Sequence, residues 1–264
     1  MNWQQINRRR MKHIRYGERL FSRMYGAIRS DLSEQFRAAQ STGELEAIVE
    51  RMTIDADVEE AFNNLYTRTG VDFAKQEYKR FKSAAGQYQR KEEDDFEGMW
   101  REMMLAFVAN ECGEKIRSIR RTFRLTYGRA LDGAVQQGLD EGWGVEKISK
   151  RILTEGRRRE KWQAMRIART EVLSASNYGS LKGAETTGIP MIKRWVATVA
   201  TEPRGDHQQM VGREADLDKP FLLPSGEQIM YPGDPGASLE ETINCQCGVV
   251  NEPKTDVIDQ ILER

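Results

Sequence analysis

The sequence predicts an α+β protein: an extended, mainly helical N-terminal region, then a small α+β module in which a long helix packs on a short antiparallel sheet with long loops. Three observations predict it. Apolar residues recur at helical spacing up to about residue 187. Beyond Gly188 and Pro190 the pattern changes to short apolar runs separated by proline and glycine turns. The balance of 39% apolar and 31% charged residues suits long helices with solvated faces better than a compact all-β body.

Residues 4–39 contain no proline and only Gly17 and Gly26 as interruptions, which predicts one long helix or two in succession. Ser41 and Glu44 form a capping box that starts the next helix. Ile48, Met52, Val58, Phe62 and Leu65 continue the helical spacing, and Gly70 is placed to end it in a left-handed cap. Helices are expected over 72–89 and 96–110, with the charged run 91–95 as a solvated turn between them. Another follows over 114–139, and Gly138, Gly142 and Gly144 loosen the chain before a short helix carrying Val145, Ile148 and Ile152. A loop is expected at Gly156. Arg157 then opens the last long helix, with Trp162, Ile167, Val172 and Leu173 on one face. A strand is expected over 191–199, a hairpin from 221–223 and 228–231 around Pro224, Ser225 and Gly226, and a further strand at 248–250. These signals divide the chain into a helical arm (1–156), a module (157–252) and a tail (253–264).

The length of 264 residues fits one large domain or two modest ones. No uninterrupted apolar window spans a membrane, and the N-terminus opens on arginines, so neither a membrane span nor a signal peptide is expected and the protein should work in the cytosol. In a reducing compartment Cys112, Cys245 and Cys247 stay thiols. The net charge of zero hides a polarity. Residues 1–30 carry eight basic groups against Glu18 alone, whereas residues 191–264 carry seven basic and thirteen acidic groups. Arg8, Arg9, Arg10, Lys12, Arg15 and Arg19 are therefore candidate contacts to nucleic acid or an acidic protein. The competing expectation is an amphipathic helix that buries Ile6, Ile14, Leu20, Phe21 and Tyr25.

The C-terminal third concentrates the chemistry. Cys245 and Cys247 fall on one face if their segment is extended. With His207, and with Asp234 or Asp206 as fourth ligand, they compose a tetrahedral zinc set, so zinc is the candidate cofactor. The alternative is two small buried thiols and a hydrogen-bonded loop histidine. Arg169 and Glu171 point in different directions on a helix. Each is expected to enter a buried network, Arg169 with loop carbonyls or Asp234, Glu171 with a backbone amide or Arg204. Asn244 reads as a turn residue and Trp195 as core. A phosphate-binding glycine loop, a His-Glu-x-x-His pair and a nucleophile with an evident base are all missing, which disfavours catalysis.

Taken in order, Ile167-Ala168-Arg169-Thr170-Glu171, Ala175, Asn177, Gly183-Ala184, the strand with Trp195, then His207, Gly212, Pro220-Phe221, Tyr231-Pro232-Gly233-Asp234-Pro235 and Asn244-Cys245-Gln246-Cys247 resemble the phage Mu F-like head morphogenesis family over roughly residues 140–250. The resemblance implies a minor head protein of a tailed bacteriophage, associated with the portal vertex and acting in head assembly, DNA packaging or genome delivery, with no catalysis required. It implies the portal protein and other head proteins as partners, packaged double-stranded DNA as a further one, no membrane, and a place in the virion after assembly in the host cytoplasm. It marks Arg169, Thr170, Glu171, Trp195, Arg204, Gly212, Pro232, Gly233, Asp234, Pro235 and Asn244 as structural motif residues. Family modules are similar in places to ADP-ribosyltransferase-like and toxin domains, which keeps such an enzyme as one alternative; an internal DNA-binding protein ejected with the genome is another. The chain departs from the family pattern at Ala200, at Glu202-Pro203-Arg204, where only Arg204 survives of an arginine-threonine-arginine triplet, and at Gln246 between the cysteines.

Overall fold

A computed structural model describes residues 3–197 and 204–254; Val199, Ala200, Glu202, Pro203 and most of the expected tail lie outside them. The element order is α1 (Trp3–Ala38), α2 (Thr42–Arg51), α3 (Asp55–Ala84), α4 (Arg90–Glu111), α5 (Gly113–Glu141), α6 (Val145–Thr186), β1 (Met191–Val196), α7 (Gly205–Met210), β2 (Glu214–Asp216), β3 (Phe221–Leu222), β4 (Gln228–Ile229), α8 (Leu239–Thr242) and β5 (Gly248–Pro253). No described helix is long and apolar enough to cross a membrane. The predicted α+β class holds, with the small sheets confined to the C-terminal third.

Three helix expectations are corrected. Gly70 does not end a helix, and α3 runs through it because Gly70 makes room for Met104, whose sulfur would lie 2.1 Å from a Cβ there. The charged run 91–95 is no turn but the first turns of α4, where its acids favour the positive helix terminus. Gly156 opens no loop: α6 continues through it, with the Tyr127 ring occupying the space a side chain would fill. By contrast, the capping box forms as read, Ser41 Oγ accepting from Glu44 N at 3.3 Å while Glu44 Oε2 accepts from Gln40 N at 2.8 Å.

The chain forms two compact units. One comprises Gly17–Ala61 and Cys112–Ile167. Its core stacks Tyr25 on Phe123 (centroids 5.3 Å apart), and Phe123 meets Tyr127 at a tilt. Buried Glu160 accepts from Tyr127 Oη at 2.7 Å and from Arg29. Trp162, expected on the inward face of its helix, is 55% exposed.

The other unit comprises Met1–Tyr16, Phe62–Glu111 and Ala168–Arg264. Here α3 and α6 touch backbone to backbone: a Cβ at Gly179 would lie 2.2 Å from Gly70 O, and one at Gly183 would lie 2.2 Å from Ala74 O. The sheet order is β2-β1-β5, all antiparallel, with Trp195 opposite Val249; β3 and β4 form the predicted hairpin. Alternation along β1 buries Met191, Lys193 and Trp195. Met191 joins Phe81 and Ala184 in an apolar cluster, and Trp195 meets the Phe221 ring edge-on at 5.4 Å. Lys193 is fully buried, its ammonium donating to Leu217 O at 3.1 Å, and burial pushes its pKa down to about 8.

Candidate metal centre and its supporting latches

Two short elements and a turn bring the chemistry together. Helix α7 carries His207, α8 carries Glu241, and a turn after α8 leads through Cys245 and Cys247 into β5. Asn244 takes the left-handed conformation that turn requires (φ 58°), which asparagine tolerates better than most residues. The following segment is extended, so Cys245 and Cys247 point inward while Gln246 faces out, as the spacing predicted.

Sγ of Cys245 lies 3.4 Å from His207 Nδ1, and Sγ of Cys247 lies 3.8 Å from the same nitrogen. The other ring nitrogen, Nε2, sits 2.7 Å from Glu241 Oε2. A hydrogen on Nε2 satisfies that carboxylate and leaves the Nδ1 lone pair directed at the two sulfurs. The indole of Trp195 packs edge-on against the imidazole at 5.3 Å. His207, Cys245, Cys247 and Glu241 are all buried.

The two thiols are inequivalent. The hydrogen bond from the Cys247 thiol, with His207 beside it, holds Cys245 down at about 5 against the opposing effect of burial. Cys247 is driven up, because it donates that bond and is itself buried. Burial disfavours the His207 cation, yet the Cys245 and Glu241 contacts outweigh it and raise the imidazole. Arg10 faces the same centre. Burial lowers its guanidinium to about 9, and the negative charge of Cys245 and Cys247 opposes that fall. Sequence reading placed Arg10 among the outward-facing arginines; the structure corrects this, since Arg10 is buried and donates to Ser176 Oγ at 2.7 Å and to Asn177 Oδ1. Arg9 likewise pairs with Asp72, whereas Arg8, Lys12, Arg15 and Arg19 are exposed as expected.

Asp234 does not belong with the other three donors. Its carboxylate accepts from Met230 N at 2.8 Å and Gly236 N at 2.9 Å, which fixes the turn at Pro235, and the described cluster of metal-competent groups is His207, Cys245 and Cys247. Asp206 is not in that cluster either.

The remaining motif residues latch loops. Thr170 Oγ accepts from Asn244 N at 3.0 Å, and Asn177 Nδ2 donates to Pro232 O at 2.7 Å. Gly233 (φ 84°) brings its backbone against that of Ser174, where a Cβ would lie 3.4 Å away. Arg204 donates to the carbonyls of Glu241 (3.0 Å) and Ile243, and Gly212 N donates to Trp195 O at 2.9 Å. Glu171 is buried and accepts a hydrogen bond from Tyr66 Oη at 2.7 Å. Arg169 departs from expectation: it is exposed, because it lies on the face of α6 opposite this contact surface.

Comparison with known proteins adds identity to this geometry. Residues 130–250 match the family described as Phage Mu protein F like protein, so the resemblance read from residues 167–247 is borne out over the module. The chain is 34% identical over 153 residues to a protein of Enterococcus faecalis named NAD(+)--arginine ADP-ribosyltransferase EFV, a match covering 57% of this chain and 30% of that one. It is 24% identical over 134 residues to the uncharacterized protein YqbB of Bacillus subtilis, covering 50% and 44% respectively. The chain thus spans less than half the length of these curated relatives. No solved structure matches it.

Proposed function

We propose that the chain is a minor head protein of a tailed bacteriophage, with the C-terminal module as its assembly element and the portal vertex as its place of action. The observation that carries this reading is the family match over residues 130–250, which takes in the loop latches and the His207 centre. Those contacts have the character of structure-holding bonds: each joins a buried polar group to a backbone group far away in sequence. Such a module presents a rigid surface to other head proteins. In purified phage heads, an antibody against the chain should detect it in a fixed ratio to portal protein. Heads assembled and filled with DNA in its absence, or the chain remaining wholly outside them, would sink the proposal.

Contact with packaged DNA is part of this proposal. Exposed Arg19, Arg23 and Lys161 line a groove of about 710 Å³ beside the exposed Trp162 ring, which also carries the Arg166 guanidinium at 4.4 Å. Cations beside an exposed aromatic suit a phosphate backbone without base readout. Affinity for duplex DNA should fall steeply with salt, and each of Arg19→Ala and Lys161→Ala should reduce the log–log slope by about 0.9. A salt-independent affinity would refute the contact.

An ADP-ribosyltransferase is the second reading, favoured by the name of the E. faecalis relative alone. Because the match covers 30% of that protein, the named activity has ample room outside the shared segment. Incubating the chain with labelled NAD+ and an arginine-rich acceptor separates the two, and transfer of label to arginine would establish the enzyme.

A further inference from the structure

We propose that His207 Nδ1, Cys245 Sγ and Cys247 Sγ form a zinc site that clips α7 to the approach of β5, with a small exogenous ligand such as water in the fourth position. This inference rests on the donor geometry and stands whether or not the chain acts in phage heads.

The spacing of the three donors fits a tetrahedral metal set. Tetrahedral zinc, with Zn–S of about 2.3 Å and Zn–N of about 2.0 Å, separates sulfur from nitrogen by about 3.6 Å. The observed separations are 3.4 and 3.8 Å, and all three donor atoms fall within 4.8 Å of one another. The donors therefore need only tenths of an ångström of movement to coordinate.

The surroundings are those a bound zinc uses. A metal-ligating histidine donates its second ring N–H to a carboxylate, which fixes tautomer and ring orientation. Glu241 is in that position at 2.7 Å from Nε2. Cys247 N donates to Cys245 Sγ at 3.4 Å, and the indole N–H of Trp195, which has no oxygen or nitrogen acceptor among the described residues, favours the thiolate of Cys247. Two thiolates neutralise Zn²⁺, and the buried Arg10 guanidinium interacts electrostatically with both cysteines. On binding, whatever proton the cysteine pair still carries passes to solvent as the Zn–S bonds form, with no redox step.

Position explains the use. His207 lies 38 residues from Cys245 and 40 from Cys247. Between them run β2, β3 and β4, of three, two and two residues, joined by loops. A fold this poor in ladder bonds gains stability from a metal bridge across its longest excursion.

The full chain, produced with zinc and purified under reducing conditions without chelator, should carry one zinc per chain by elemental analysis and native mass spectrometry. Cys245→Ser and Cys247→Ser should each lose it, while Cys112→Ser should keep it. Glu241→Gln, a positioning change, should weaken zinc affinity 10–100-fold in competition with a chromophoric chelator. Where a cysteine variant fails to fold, cobalt(II) on the unaltered chain replaces it: a thiolate-to-cobalt charge-transfer band with tetrahedral d–d absorption supports the site. The proposal is overturned if the unaltered chain retains no zinc after loading. It is equally overturned if zinc persists in Cys245→Ser and Cys247→Ser, or if bound cobalt lacks the thiolate band.

Discussion

Replacing Gly179 with alanine sets two effects against each other, and the structure says which wins. Alanine in a helix interior is favoured over glycine by about 0.8–1.0 kcal/mol. At Gly179, however, the added Cβ would lie 2.2 Å from the carbonyl oxygen of Gly70 and 2.7 Å from its Cα. These are backbone atoms of α3, so no rotamer change relieves the clash and the two helices must separate by about 1 Å to reach normal contact. Overpacking of this kind costs about 1–3 kcal/mol, so the net change is a destabilisation of up to about 2 kcal/mol. Gly98 is the internal control. It lies in α4 within the same unit, is exposed, and nothing stands within 4 Å of its Cβ position. Gly98→Ala should therefore stabilise by about 0.5–1 kcal/mol. Urea unfolding of the full chain, followed by circular dichroism, reads both signs. Equal stabilisation by the two substitutions would refute the backbone contact between α3 and α6, and Gly183→Ala, which faces Ala74 O at 2.2 Å, would be expected to fail with it.

Other perturbations test the polar interior. Asn177→Ala removes the donor to Pro232 O and the acceptor for Arg10, and should cost about 2–6 kcal/mol in urea unfolding, since two buried groups lose partners at about 1–3 kcal/mol each; a cost below about 0.5 kcal/mol would rule out the latch. Lys193, lowered by burial from 10.5 to about 8, binds fewer protons folded than unfolded between those values. Stability should therefore rise with pH across that window, and Lys193→Met should flatten the rise; an unchanged profile would place the ammonium in water. Burial alone would raise Asp72, but the hydrogen bonds and charges of Arg9 and His13 outweigh it and hold the carboxyl well below 3.8. Its stabilisation is present above that ordinary value and lost as pH falls through the folded one, so Asp72→Asn should be less stable than the unaltered chain near neutrality and converge with it in strong acid.

Long-range periodicity was legible in the sequence, and local punctuation was legible only in part. The capping box at Ser41, the end of α6 near Gly188 and the hairpin around Pro224 follow from residues within a few positions of one another. Gly70 and Gly156 were misread because a glycine that ends a helix and a glycine that admits a neighbour look alike until Met104 and Tyr127 are in place. Spacing alone identified the Cys245–His207–Cys247 centre. It offered no route to Glu241, which appears in an unremarkable Glu-Glu pair, or to Arg10, which lies more than 230 residues before the cysteines. Arg169 and Trp162 failed for a related reason: arginine beside a motif and tryptophan on a periodic face both invite burial, yet each faces solvent.

Helix α6 shows why the motif takes the form it does. Thr170, Ser174 and Asn177 recur at four and three residues, so they line one face. By hydropathy that face belongs in water, yet all three residues are buried. What covers them is backbone: Asn244 N on Thr170, the Gly233 chain on Ser174, and Pro232 O on Asn177. Loops carry unpaired amides and carbonyls that an apolar helix face would leave unsatisfied at about 1–3 kcal/mol each. Thr170 and Asn177 supply partners at fixed positions and Ser174 is small enough for the Gly233 backbone to close on it, which sets where each loop lands in a way that non-directional apolar packing does not. The same logic reaches the proposed zinc site, because the Thr170 bond to Asn244 holds the residue immediately before Cys245. Thr170→Val, close in shape but unable to accept, should therefore weaken zinc binding as well as stability, whereas Arg169→Ala, one position away on the solvent face, should change neither.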